Sequence, residues 1–155
     1  MKLKLLFMGC MLSFMAYMLT ACNDSLEVRQ AYDFSLVSWY LQEGIEQDET
    51  VEIRLTLNRD GNYREAAYKV GYIQLEGDGE VFDSGGNRLV DREMTDLSCI
   101  PDLDTTDVCR QVFTLYYKNT GKENPKIRFV ISDNFKAERT LDIPFSIKND
   151  TETGQ

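Results

Sequence analysis

Apolar and polar residues alternate along most of this chain with a period of two, the pattern of strands that turn one face to a core and the other to water. The cleanest case sets Val51, Ile53, Leu55 and Leu57 against Glu52, Arg54, Thr56 and Asn58. Tyr32, Phe34 and Leu36 alternate with Asp33, Ser35 and Val37 in a segment that ends near Trp39. Tyr68, Val70 and Tyr72 continue to Leu75, and a short strand follows at Val81-Phe82. Val112 to Tyr117, then Ile127, Phe129 and Ile131, repeat the pattern. Leu141, Ile143, Phe145 and Ile147 form the last predicted strand, where Pro144 favours an edge position or a bulge because it has no N–H to give a ladder.

Turn chemistry separates these runs. Asn58-Arg59-Asp60-Gly61-Asn62 predicts a turn in which Gly61 supplies the positive φ. Further breaks are expected at Gly77-Asp78-Gly79, Gly85-Gly86, Lys118-Asn119-Thr120-Gly121 and Asp133-Asn134-Phe135-Lys136. Residues 87–109 show little periodicity and carry Asp91, Glu93, Asp96, Asp102, Asp104 and Asp107, so they read as one long acidic loop. The nearest helix candidate, Leu36 to Ile45, is weakened by Gly44 and by β-branched and aromatic residues. The expected fold is all-β: an immunoglobulin-like two-sheet β-sandwich of about seven strands over residues 32–148, with a flexible tail at 149–155.

The start of the chain differs. Lys2 and Lys4 precede an apolar run from Leu5 to Leu19, which leads into Leu19-Thr20-Ala21-Cys22. A basic start, an apolar stretch short for a spanning helix and small residues at the cut predict an export signal at 1–21. The competing reading, Phe7-Met8-Gly9-Cys10, would leave a very short apolar core and a second hydrophobic run behind it. Leu-Thr-Ala-Cys resembles the lipobox of bacterial lipoproteins, which implies lipidation of Cys22 and a short tether over 22–31. A single acyl chain holds only marginally, so stable attachment needs more than one.

Charge narrows the partners. Of the 155 residues, 17 are basic and 26 acidic; removing 1–21 takes two lysines and no acid, leaving 15 bases against 26 acids, a formal −11. Such an acidic surface disfavours nucleic acid or anionic lipid as the main ligand, because both need a positive footprint, and no direct nucleic-acid binding is expected. The membrane is reached through the lipid on Cys22 instead.

Catalytic chemistry is sparse. There is no histidine, so no Ser-His-Asp or Cys-His arrangement can be built and no His-containing metal centre. Asp102-Leu103-Asp104 with Asp107 misses the calcium-loop pattern, since Asp107 stands where glycine is needed and no glutamate fills the twelfth place. The glycines lack a following Gly-Lys-Ser/Thr and are turn residues rather than a phosphate loop. We therefore expect no enzyme, no cofactor and no metal. Cys99 and Cys109, the pair left once Cys10 goes with the signal and Cys22 takes the lipid, are expected to form a disulfide in an exported protein. Candidate interaction residues are Trp39, the adjacent Tyr116 and Tyr117, which must point to opposite faces, and Asp102, Asp104 and Asp107 of the acidic loop.

Several of these segments taken together resemble one family. Glu52 to Gly61, Tyr72 to Gly79, Val112 to Tyr117, Asp133-Asn134-Phe135 and the Cys22-Asn23-Asp24 junction are similar to the TraQ family of conjugative-transposon proteins from Bacteroides and relatives. The chain departs from that pattern around 91–109, where the acidic residues and both cysteines fall. The family has no assigned catalytic residues to carry over. The resemblance implies a lipid-anchored structural or interaction domain that assists the envelope part of a conjugative DNA-transfer apparatus. Its expected partner is an envelope protein and its expected site the cell envelope, outer membrane ahead of inner. The alternative is a surface lipoprotein that binds a glycan or an extracellular protein through the acidic loop.

Overall fold

A computed structural model describes residues 32–39 and 42–148. The expected signal, Cys22, the tether and the tail lie outside the described residues. In chain order the strands are β1 (Phe34–Ser38), β2 (Gly44–Ile45), β3 (Thr50–Arg59), β4 (Tyr68–Glu76), β5 (Gly79–Asp83), β6 (Met94–Asp96), β7 (Asp104–Asp107), β8 (Arg110–Asn119), β9 (Lys126–Asp133), β10 (Glu138–Pro144) and β11 (Ser146–Ile147). A 3-10 turn, Leu97–Cys99, follows β6.

Two antiparallel sheets result. One has the order β1-β3-β8-β5, with β7 pairing the start of β8; the other has the order β10-β9-β4-β6. With β1, β3, β4, β5, β8, β9 and β10 lettered A to G, these sheets read A-B-E-D and G-F-C, the immunoglobulin-like arrangement, and β6 is an added edge beside the third strand. The predicted β-sandwich is thus the observed fold. Its core is what the alternation predicts: Ile53, Leu55, Leu57, Phe113 and Leu115 from the first sheet pack with Val70, Ile127, Phe129 and Ile131 from the second, all fully buried. Pro144 ends β10, an edge strand, where a missing N–H costs no ladder bond.

Four local expectations are corrected. The segment 87–109 is not one loop: it holds β6, the 3-10 turn and β7, and it is pinned to the core by buried Leu89, Leu97 and Ile100. The last strand is interrupted after Pro144, because the Phe145 N–H turns to the Pro125 carbonyl (2.9 Å), and β11 then pairs in parallel with β2. Strands β3 and β8 run further than expected, through Arg59 and Asn119. Gly61 does not supply a left-handed turn residue; among the described residues positive φ falls at Gly77 and Gly86, and at Asp48, Arg92 and Lys136.

Candidate functional site

The outward face of the first sheet carries the candidate aromatic residues. Trp39 follows β1, its N–H bonded to the Arg54 carbonyl at 3.0 Å, and its side chain is 55% exposed. The Arg110 guanidinium lies 5.2 Å from the centre of its indole, a cation–π contact at a wet site. Val37, two residues earlier, is also exposed, and its row continues in register through Thr56 to Val112. Tyr116 stands half-buried on this same face, between Glu52 and Phe82 on the neighbouring strands.

Tyr117 is on the other face, as the alternation requires, and is fully buried, so it leaves the set of candidate contact residues. Its ring stacks parallel to Phe145 at 5.6 Å. The hydroxyl accepts from Gln74 Nε2 at 3.1 Å and lies 3.4 Å from the Asp78 carbonyl, to which it donates. Burial pushes this phenol up to about 12, against the pull of the Gln74 hydrogen bond.

The three loop aspartates do not converge on a common point. Asp102 accepts from the Ser84 hydroxyl at 2.9 Å, 18 residues away, whereas Asp104 accepts from the Thr106 N–H at 2.9 Å and Asp107 from the Cys109 N–H at 2.9 Å, each of these two closing a local turn. The Thr106 bonds hold the Asp104 carboxyl below its ordinary range. Among the described residues no group of three or more acidic or cysteine side chains is placed to hold a metal ion.

The expected Cys99–Cys109 disulfide is not formed: both are exposed free thiols. Geometry explains the difference. Cys99 ends the 3-10 turn ahead of β7, whereas Cys109 lies in the turn between β7 and β8, so the length of β7 separates them.

Two features lay outside the sequence reading. A cleft of about 300 Å³ opens between the β3–β4 connection and the β6–β7 segment, lined by Ala66, Tyr68, Leu97, Leu103, Thr105 and Gln111. Its lining is largely apolar, which suits a single apolar side chain better than a charged ligand. The other feature is Arg59, buried to 8% exposure beneath the same end of the sandwich. Its guanidinium sits 5.3 Å from the Tyr68 ring centre and donates to the carbonyls of Val108 (3.2 Å) and Tyr63 (2.6 Å). A conventional turn reading of 58–62 hides it, since nothing local marks an arginine as inward-facing.

Comparison with known proteins decides the family. The model of the TraQ conjugal transfer protein family matches residues 5–149. The chain belongs to that family. Solved structures of similar proteins share its fold. A conjugative transposon lipoprotein from Bacteroides eggerthii is 25% identical, with a TM-score of 0.62 over 74% of this chain and 98% of that one. A lipoprotein from Bacteroides thetaiotaomicron is 26% identical, with a TM-score of 0.60 over 84% and 90%. A conjugate transposon protein from Bacteroides vulgatus is 27% identical, with a TM-score of 0.60 over 85% and 98%. No curated protein matches the chain. Membership of the TraQ family gives this sandwich a role in conjugation.

Proposed function

We propose that this chain is a lipid-anchored interaction domain that assists the envelope part of a conjugative DNA-transfer apparatus. The observation that carries the reading is the family match over nearly the whole chain, supported by the likeness to a Bacteroides conjugative transposon lipoprotein. Acylation of Cys22 supplies the attachment, and the outer membrane is the proposed location. The partner is an envelope protein, and the outward sheet face around Trp39, Val37 and Tyr116 is the proposed contact surface. An exposed aromatic with an arginine stacked on it matches the composition of protein-binding patches.

Deleting the gene in a donor strain with no second copy should lower transfer frequency, with restoration by the wild-type gene. Unchanged transfer would overturn the role. Replacing Cys22 with Ala should move the protein from the membrane to the soluble fraction, and density separation of wild-type membranes should place it with outer-membrane markers. A Cys22→Ala protein that stays with the membrane would remove the anchor.

A further inference from the structure

The described domain begins at Tyr32, whose ring stacks on Tyr63 with planes 11° apart and stands edge-on to Phe135 at 6.3 Å. These rings come from the chain's entry into the domain, the β3–β4 connection and the β9–β10 turn. Backbone bonds hold the segments at one end of the sandwich. Asp60 N–H donates to the Asp33 carbonyl (3.1 Å), Arg59 N–H to Cys109 (2.8 Å) and Asn134 N–H to Ala67 (3.0 Å). The buried Arg59 guanidinium grips the carbonyls of Tyr63 and Val108 together, so the β3–β4 connection and the β7–β8 turn rest on the same cation. Val108, at the tip of that turn, is 39% exposed.

The charge of this end departs from that of the chain as a whole. Asp33 is held by Arg139 at 2.6 Å, and the buried Asp133 accepts the N–H groups of Phe135 and Ala137. The charges left around its three turns, Asp60, Glu65, Asp107 and Glu138 against Arg64, Arg110 and Lys136, leave a formal −1. One end of a strongly acidic protein is therefore close to neutral, aromatic and braced.

We propose that this end is a membrane-contacting tip that seats Tyr32, Tyr63, Phe135 and Val108 in the headgroup layer of zwitterionic phospholipid. The inference rests on the anchor at Cys22. Nine residues separate Cys22 from Tyr32, and even fully extended such a stretch spans no more than roughly 30 Å. The chain enters the domain at this end, so this is the end nearest the proposed anchor. Amphipathic rings are favoured there, with an apolar body and a wet hydroxyl. Trp39 lies one strand length from the tip along β1, on the outward sheet face, with its indole against Arg110.

The test uses the full-length lipidated protein in phosphatidylcholine vesicles and its tryptophan emission. In a Trp39→Phe background, Tyr63→Trp and Phe135→Trp each place one reporter at the tip; the wild-type protein reports Trp39. Lipids brominated close to the headgroup should quench either tip reporter and shift its emission to the blue, while leaving Trp39 emission unchanged. Flotation with the vesicles is scored first. Protein that does not float overturns the anchor and the tip with it. Floated, folded protein with silent tip reporters, or with Trp39 quenched in their place, overturns the tip alone. The two reporter sites are independent, so a folding failure at one leaves the other to decide.

Discussion

Tyr117 lays its ring over the backbone of Gly79, in the space where any other residue would carry its Cβ. Gly79 opens β5 straight after the tight turn at Gly77, and the close approach lets the phenol hydroxyl reach Gln74 and the Asp78 carbonyl. Gly79→Ala must move either a fully buried ring or the strand. We expect a loss of about 1–3 kcal/mol, the usual cost of overpacking a close-packed site, read as a lower denaturant midpoint. In a Tyr117→Val background the same substitution should cost much less, because the clashing group is gone.

Tyr117 also sets an alkaline limit. An unfolded chain ionises this phenol near the ordinary 10.0, whereas the folded protein holds the proton until about 12. The stabilisation is complete below pH 10 and is lost as pH rises toward 12, since the unfolded state gives up its proton first. Burial raises Tyr68 and Tyr72 in the same direction. Denaturant midpoints measured across this range should fall steeply for the wild type and less steeply for Tyr117→Phe.

Arg59→Met should destabilise the domain by about 2 kcal/mol, because it removes the charged donor that the part-buried carbonyls of Tyr63 and Val108 share. Arg59→Lys should recover only part of the loss: one ammonium cannot span both carbonyls and lie flat over Tyr68. Thermal melts of the three proteins give the order.

Trp39→Ala should separate folding from function. The side chain is more than half exposed and its cation–π contact with Arg110 is solvent-facing, so the stability cost should stay below about 1 kcal/mol. Transfer frequency should fall if this face meets the partner. Wild-type transfer by the stable variant would move the contact surface elsewhere.

The two thiols should behave as separate groups. A thiol-reactive reagent should label both Cys99 and Cys109 in the native protein, and Cys99→Ser should leave the denaturant midpoint where it was. A fall of roughly 2–3 kcal/mol would be the signature of a cross-link closing a short loop.

The long strands were legible because each buries a full row of alternate residues: Ile53, Leu55 and Leu57, or Ile127, Phe129 and Ile131. The same rule correctly separated Tyr116 from Tyr117. It failed where a strand is too short or too exposed to have a period, as in β2, with two residues, and β7, whose Asp-Thr-Thr-Asp is exposed throughout. Leu89, Leu97 and Ile100 hold their segment by single anchors, which leave no repeat to read. The cysteines misled for a related reason, since closeness in sequence said nothing about the hairpin strand between them. Arg59 was hidden because a charged residue at a strand end ordinarily faces water, and here Tyr63, Tyr68 and the distant Val108 hold it inside.

The parallel pairing of β2 with β11 joins Ile45, fully buried, to Ile147, within the last described residues of the chain. A chain exported as a thread, as the proposed lipoprotein signal requires, could not close this seam until β11 has crossed: a long sequence separation makes the contact slow to form, and the early strands remain threadable until the late ones arrive.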